Sequence, residues 1–200
     1  MMEKAGEAVP AAQAVDPADA EDRQWVVAFQ SGREEGFNRL VLRHKDRIFG
    51  LCRRLLGDRE EAEDVAQEVF VRVYHGLGAF RLEAKFSSWL YRIAVNACKN
   101  RMDSKEYREA RGRRDLEAAD AEGISSPSPA QELEAKDRRR LIEAAIQRLP
   151  EEQRLLVVLR DVEGRSYEEI AESTGLNPGT LKSRLNRGRR QLQEWLRELW

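Results

Sequence analysis

The chain contains few of the residues from which disulfide frameworks and metal sites are built. Its 200 residues include two cysteines and two histidines. Two cysteines cannot make a disulfide-rich fold, and neither histidine has a cysteine or a second histidine at ligand spacing. We therefore expect no metal and no cofactor.

Aromatic residues are also scarce, at 7% of the chain, and no stretch shows the long Val, Ile and Thr alternation that is typical of strands. Apolar residues recur instead at three- and four-residue spacing, which is the period of an amphipathic helix. The sequence therefore predicts an all-α protein.

Long hydrophobic runs are missing as well. No apolar run approaches the length of a membrane span, and the N-terminus has no apolar segment of signal-peptide length. We expect a cytoplasmic protein that is not inserted in a membrane. Cys52 and Cys98 lie among apolar neighbours in predicted helices, which favours buried thiols; a redox pair is the alternative.

Charge is abundant, and it is segregated along the chain. The net charge is −1, but residues 81–114 contain ten basic and four acidic residues, whereas residues 115–137 contain seven acidic residues and one lysine. A basic segment attracts nucleic acid and an acidic one avoids it. This pattern predicts two nucleic-acid surfaces that are joined by an acidic connection.

Composition divides the chain into four parts. The tail is rich in Ala, Glu, Asp and Pro without periodicity, and the linker contains two prolines and many acids. Fully stretched, the twenty-residue linker spans up to roughly 60–70 Å. The predicted parts are a disordered tail (1–21), a first helical domain (22–114), a flexible acidic linker (115–134) and a second helical domain (135–200).

Residues 166–190 have the pattern of a helix-turn-helix, the unit that places its second helix in the DNA major groove. Ser166 and Glu169 form a capping box, Gly175 permits a left-handed turn, and Pro178 suits the start of the second helix. The alternative is an ordinary solvated basic helix. Turning by about 100° per residue, the second helix has a predicted outward face of Thr180, Ser183, Asn186, Arg187 and Arg190, flanked by Lys182, Arg184 and Arg189.

In the first domain, Asp58 and Glu61 predict the start of a helix that has an acidic outer face. Val71 stands among these acids, which is typical of a protein-docking patch, although a solvated acidic face with one stray valine fits the spacing equally well. Paired carboxylates can act in acid–base catalysis, but these have no predicted pocket partner. We therefore predict no catalytic residue.

The helix that begins at Phe86 has an apolar stripe and an opposite polar, basic face. An aromatic loop at residues 75–86 precedes it. Cations that follow a phosphate backbone, together with rings that hold unstacked bases, suit single-stranded DNA. Trp89 is predicted to belong to the core rather than to a stacking platform, whereas Phe80 and Tyr91 are less committed to the stripe and available to contact a base.

Three segments follow one another in a characteristic order: DREEAEDVAQEVFVRVY, FSSWLYRIAVNACKNR and LPEEQRLLVVLRDVEGRSYEEIAESTGLNPGTLKSRLNRGRR. In this order they resemble the bacterial extracytoplasmic-function (group 4) sigma factors over roughly residues 24–200. The resemblance implies a sigma region 2 bundle and a region 4 helix-turn-helix. It also implies a linker that threads through polymerase near the RNA exit path.

The resemblance further assigns roles to particular residues. Region 2 would dock on the clamp coiled coil of core RNA polymerase through Asp64, Gln67, Glu68, Val69, Phe70 and Val71. It would melt and read the −10 element through Phe80, Lys85, Arg92, Asn96, Lys99 and Asn100. Region 4 would read the −35 element as duplex through Thr180, Lys182, Ser183, Arg184, Asn186, Arg187 and Arg190.

The implied partners are core RNA polymerase, promoter DNA and an anti-sigma factor, with no small-molecule substrate. Two other classes of protein remain open. A self-sufficient repressor or activator would use the same DNA helix without polymerase, and a helical adaptor would carry incidental basic faces. An enzyme is a more distant alternative.

Overall fold

The computed structural model describes residues 17–105, 107–109, 112 and 131–197. Within these ranges the chain forms helices and turns and no strand, which confirms the predicted all-α class. The predicted tail and linker lie outside the described residues, except that residues 17–21 are helical and residues 131–134 begin a helix. The elements are α1 (Pro17–Gln30), α2 (Glu35–Leu56), α3 (Arg59–Leu77), α4 (Phe86–Asp103), α5 (Gln131–Arg148), α6 (Glu151–Val157), a π-helical turn (Val158–Val162), α7 (Tyr167–Thr174) and α8 (Pro178–Leu196).

Helices α1 to α4 pack into a first helical unit, which we call region 2. Fully buried aliphatic side chains come from all four of these helices, among them Val26, Leu51, Val69 and Leu90. Burying one such side chain stabilises the fold by about 1.5–3 kcal/mol. As predicted, the Asp58 carboxylate caps α3 by accepting a hydrogen bond from the backbone N–H of Glu61, at 2.9 Å.

A buried polar pair joins α1 to α2. The Asp22 carboxylate, which is 3% exposed, lies 2.9 Å from Nε2 of His44 and accepts a hydrogen bond from Arg43 at 3.3 Å. Asp22 was the predicted start of the first helix, but α1 begins at Pro17, five residues earlier. The additional turn carries Asp19, which forms an ion pair with Lys85 at the start of α4.

Helices α5 to α8 and the π-helical turn form a second unit, which we call region 4. The predicted signals for the helix-turn-helix are confirmed. Ser166 and Glu169 form both hydrogen bonds of the capping box, at 3.1 and 2.9 Å, and Gly175 adopts a left-handed φ of 71°. Asn177 caps α8 by accepting from the N–H of Thr180 at 2.9 Å, with Pro178 in the first turn.

Region 4 packs directly against region 2 at the C-terminal end of α2. The last carbonyl groups of a helix have no partner within that helix, so a cation or a donor placed there is stabilising. Arg154, which is fully buried, donates to the carbonyl oxygen of Leu55 at 2.9 Å. Gln147 donates to the carbonyl oxygen of Arg54 at 2.8 Å. Residues of α5 and α6 thus cap a helix of the other unit.

Candidate nucleic-acid interface

Helix α8 carries a row of polar and basic side chains on the side away from the core. Leu181 and Leu185 are fully buried, so packing determines which face of the helix is turned outward. Of the predicted −35 residues, Thr180 and Arg184 are half-buried; the exposed ones are Lys182, Ser183, Asn186, Arg187 and Arg190.

Two arginines of α8 are engaged within the protein. Arg184 forms an ion pair with Glu152 of α6 at 3.0 Å, and Arg189 donates to Asp161 at 3.0 Å. These pairs hold α8 against the elements that precede the helix-turn-helix. Arg184, which was predicted among the DNA-binding residues, therefore lies between α8 and α6 with its guanidinium bound to a carboxylate.

The polar face of α4 has the composition that the sequence predicted, but part of it is covered. Arg92, Asn96, Lys99 and Asn100 are exposed. The guanidinium of Arg92 nevertheless lies 3.1 Å from a carboxylate oxygen of Glu172 on α7. Region 4 thus supplies an acid to the face that was predicted to bind DNA.

The predicted aromatic loop lies next to the start of α4. The rings of Phe80 and Trp89 are tilted by 30° with their centroids 4.8 Å apart, and both residues are half-buried. Trp89 is partly buried and packs against the edge of the core. Gly76 favours the close approach of α3, because a Cβ atom there would stand 3.1 Å from the indole ring, which is tighter than an ordinary van der Waals contact. This arrangement leaves ring surface of Phe80 and Trp89 open to solvent.

Helix α1 holds this loop in place. The side-chain amide of Gln30 donates to the carbonyl oxygens of Leu77 and Phe80, at 3.0 and 2.8 Å. Arg23 donates to the carbonyl oxygen of Leu82, which has a left-handed φ of 58°. Neither Gln30 nor Arg23 was predicted to hold the loop, because no sequence motif connects residues that are 47 to 59 positions apart.

The prediction that Tyr91 is available to contact a base is wrong. Tyr91 is 4% exposed, and its hydroxyl donates to a carboxylate oxygen of Glu163 at 2.7 Å. The guanidinium of Arg165 lies 3.8 Å from the ring centroid. Burial, together with the hydrogen bond to Glu163, raises the pKa of Tyr91 well above its ordinary value. The ring therefore belongs to the contact between the two regions.

The outer face of α3 carries the predicted docking patch. Asp64, Gln67 and Glu68 are exposed, and the exposed fraction of Val71 is 55%, which leaves an apolar side chain open to solvent among acids. Phe70 is half-buried. Val69, however, is fully buried in the core and contributes no surface, because it lies on the opposite side of the helix.

The two thiols are buried, as predicted. The sulfur atoms of Cys52 and Cys98 lie 3.6 Å apart, and the hydrogen bond between them, with burial, raises the pKa of Cys98 well above its usual range. Among the described residues, no group of three His, Cys, Asp or Glu side chains is placed to hold a metal ion. Those residues also include no helix with the length and apolar content needed to span a bilayer.

Comparison with known proteins agrees with this geometry. Residues 40–108 match Sigma-70 region 2, and residues 139–192 match Sigma-70, region 4. The chain is 40% identical over 190 residues to the RNA polymerase sigma-H factor of Pseudomonas aeruginosa, covering 90% of this chain and 95% of the relative.

A second relative is the ECF RNA polymerase sigma-E factor of Haemophilus influenzae. It is 35% identical over 189 residues, which cover 89% of this chain and 96% of the relative. Among solved structures, the chain is similar to the sigma factor RpoE in complex with the anti-sigma factor NepR from Bartonella quintana. That likeness has a TM-score of 0.56 and 27% identity, and it covers 80% of this chain and 96% of the other.

Proposed function

We propose that this chain, which belongs to the extracytoplasmic-function (ECF) sigma factors of RNA polymerase, is a member of group 4. We also propose that three of its surfaces carry out the binding steps of that family. The chain binds core RNA polymerase and directs initiation at specific promoters. Polymerase makes the bonds in this process, so the chain itself contributes binding and recognition rather than catalysis.

The first surface is the outward face of α8, which we assign to the −35 element as duplex. The single observation that carries this assignment is an exposed row of donors on the second helix of a fully capped helix-turn-helix. Arginine and lysine donate to guanine edges and to phosphates, whereas asparagine pairs with adenine. The residues proposed to contact DNA are Thr180, Lys182, Ser183, Asn186, Arg187 and Arg190; Arg184 acts by positioning α8.

The second surface is the face of α4 together with the aromatic loop, which we assign to the melted −10 element. Unstacking costs a few kcal/mol per base, and stacking on an aromatic side chain returns about 1–3 kcal/mol. Capture of flipped bases therefore shifts the duplex toward the open state. Phe80 and Trp89 would supply ring surface, and the backbone would follow Lys85, Arg92, Asn96, Lys99 and Asn100.

The third surface is the docking patch on α3, which we assign to core polymerase. An exposed valine that is surrounded by carboxylates and an amide has the apolar centre and polar rim of a protein interface. The residues proposed to touch polymerase are Asp64, Gln67, Glu68, Phe70 and Val71. Val69 supports them from within the core.

We also propose that an anti-sigma factor holds this chain inactive. The support is the structural likeness to RpoE, which was solved in complex with its anti-sigma factor NepR. Such a partner would cover the docking patch and so compete with polymerase. The chain would then act in the cytoplasm, where promoter DNA and polymerase meet.

The test is transcription in vitro with core polymerase and a genomic library as template. Promoter-specific starts are expected only when the chain is added, and their absence would refute the proposed function. Gln67→Lys combined with Val71→Asp should abolish these starts and the capture of core enzyme, since the pair destroys the docking patch. Glu63→Lys is the control, because it alters charge on the same helix beside the patch; helical content is checked by circular dichroism.

A further inference from the structure

Region 4 places carboxylates along the α4 face that we assign to single-stranded DNA. The hydroxyl of Ser88 lies 3.4 Å from Glu169, and Arg92 donates to Glu172 at 3.1 Å. Both acids belong to α7, the first helix of the helix-turn-helix. A carboxylate that accepts from Arg92 occupies a position where a DNA phosphate would be bound, since both anions use the same donors.

A cleft of about 120 Å³ separates the C-terminal part of α4 from region 4. Lys99 and Asp103 line it on the α4 side, and Glu151, Glu152 and Arg184 line it on the other. Glu152 in this cleft is bound to Arg184, so within the described ranges the ion pair between α4 and the acids of region 4 is that of Arg92 with Glu172. Nucleic acid must therefore displace Glu172 to bind Arg92, whereas Asn96, Lys99 and Asn100 stay exposed in the closed chain.

A buried acid fastens the two regions together. The side chain of Glu163, which follows the π-helical turn of region 4, is only 5% exposed. Its carboxylate accepts from three groups of region 2: the hydroxyl of Tyr91 at 2.7 Å, Arg54 at 3.0 Å and Arg47 at 3.3 Å. A carboxylate loses its hydration when it is buried, so it is tolerated there only while such partners are in place.

We propose that this chain has an autoinhibited closed state, in which Glu163 latches region 4 onto region 2 and acids of α7 occupy Ser88 and Arg92 on the −10 face. Single-stranded DNA and the acids of α7 then compete for Arg92 and its neighbours. The inference rests on the proposed function, because it concerns the α4 face assigned there to DNA. The docking patch and the α8 face remain exposed, so closure competes with DNA at Arg92 without blocking these two surfaces.

The distance between the two promoter elements requires region 2 and region 4 to separate. The centres of elements at −10 and −35 lie about 25 base pairs apart, which is about 85 Å at 3.4 Å per base pair. Two helical units of this size in direct contact have centres only about 30 Å apart. One closed molecule therefore cannot hold both elements, and the latch must release before both are bound.

The contact combines polar links with apolar packing. Its named links are ion pairs and hydrogen bonds, and buried apolar residues of both regions, among them Val95 of α4 and Leu159 of the π-helical turn, belong to one hydrophobic cluster. Opening therefore exposes apolar surface as well as breaking the polar links. Once the latch opens, Arg47, Arg54 and Glu163 regain water, which offsets part of the free energy of the broken interactions. The closed and open arrangements are thus two competing states of the chain.

The first measurement is the distance between the two regions in the full-length chain. Spectroscopic labels are attached through Lys45→Cys on α2 and Gln193→Cys on α8, both exposed positions, whereas the native thiols are buried. The parent protein is expected to show a short, narrow distance distribution. Glu163→Gln should shift it to longer and broader distances, because the latch loses its charge. Glu63→Gln removes the same charge from a surface pair with Arg59 and should change nothing.

The second measurement is binding of a fluorescent single-stranded oligonucleotide by anisotropy at low salt. Glu163→Gln should bind about tenfold more tightly than the parent, as expected when a competing set of charged hydrogen bonds is removed. Glu63→Gln should match the parent. Tyr91→Phe removes one hydrogen bond and keeps the charge of Glu163, so it should shift both measurements in the same direction by less. This milder variant keeps the test decisive if Glu163→Gln folds poorly.

Two outcomes would overturn the proposal for different reasons. A long, broad distance in the parent that Glu163→Gln leaves unchanged would show that the latch does not close the chain, and the proposed function would stand. A longer distance without tighter binding would show that closure does not inhibit. The fault would then lie in the assignment of the α4 face to DNA.

Discussion

The two surfaces that we assign to DNA have similar chemistry and different surroundings. The α8 face presents five exposed polar or basic side chains to solvent. On α4, Arg92 is paired with Glu172, and Tyr91 is buried beneath region 4. The composition of a basic helix therefore indicates what it can bind, whereas the element packed against it decides when binding is possible.

The physical difference lies in the acids that stand opposite each face. The acids bound by α8, Glu152 and Asp161, hold Arg184 and Arg189 at its sides and leave Arg187 and Arg190 outward. The acids opposite α4 lie on its polar face. A permanently open basic face binds any DNA through its phosphates. Covering α4 would limit capture of single strands to the opened chain.

The largest expected effect tests the assignment of α8 to duplex DNA. Reversing two charges by Arg187→Glu with Arg190→Glu should weaken duplex −35 binding by about a hundredfold or more, since each charged hydrogen bond contributes about 1.5–3 kcal/mol. The affinity should also become less dependent on salt. The slope of log affinity against log salt concentration should fall in magnitude by about 0.9 for each phosphate that the variant no longer neutralises. Titration with labelled duplex at several salt concentrations measures both quantities.

Arg59→Glu with Arg139→Glu is the matched control, because it reverses the same charge on α3 and α5. Equal losses of affinity in the two double variants would mean that net charge, rather than the α8 face, governs binding. Single-strand binding should respond less to the α8 pair than duplex binding does.

A smaller effect tests whether contact with α6 sets the position of the α8 face. Gly188 lies against α6, and a Cβ atom there would stand 3.0 Å from Val157 and 3.2 Å from Gln153. Gly188→Val should therefore lower the free energy of unfolding by about 1–3 kcal/mol through overpacking, and it should weaken duplex binding by displacing α8. Urea unfolding measures the stability.

The control lies in the same helix. Gly179→Ala would place its Cβ 3.4 Å from the Asn177 side chain, and a better helix former near the start of α8 should leave stability unchanged or slightly higher. If Gly188→Val is as stable as Gly179→Ala, α8 is free to move away from α6, and its orientation is not set by this contact.

The smallest effect concerns α7, which serves both the helix-turn-helix and the cover over α4. Burial acts to raise the pKa of Glu169, but hydrogen bonds from the Ser166 N–H and from Arg165 outweigh it and leave the pKa below its usual value. A depressed pKa contributes stability above the unfolded value of about 4.3, and this contribution is lost as pH falls through the folded value. Glu169→Gln should therefore make the unfolding free energy less dependent on pH below about 4.3, by less than about 1 kcal/mol.

Thermal unfolding from pH 3 to pH 7 measures this difference. Glu63→Gln, on the surface of α3, is the comparison variant. An unchanged pH dependence in Glu169→Gln would mean that the capping box contributes nothing to acid stability.

Local signals in the sequence predicted most of the helix boundaries. The caps at Asp58 and Ser166, the left-handed Gly175 and Pro178 at the start of α8 each depend on residues within about four positions of one another. Such contacts are nearly the same in any protein that contains the motif. The side chains exposed on α8 followed from the same short-range periodicity.

These local signals did not predict the long-range contacts. Tyr91 was predicted to be available because its position lies at the edge of the apolar stripe of α4. Its burial depends on Glu163, 72 residues later. Val69 was included in the docking patch by resemblance, although the periodicity of α3 turns it inward. The role of Gln30 in holding the aromatic loop depends on contacts across 47 and 50 positions.

The sequence by itself determined the helices, their caps and the two basic faces, because hydrophobic period and turn chemistry act over a few residues. Only the tertiary structure decided that Arg154 and Gln147 cap α2 and that Glu163 is buried against Tyr91. It also decided that acids of α7 lie over α4. These contacts join residues far apart in the chain, and their free energy depends on burial and on partners that no short segment specifies.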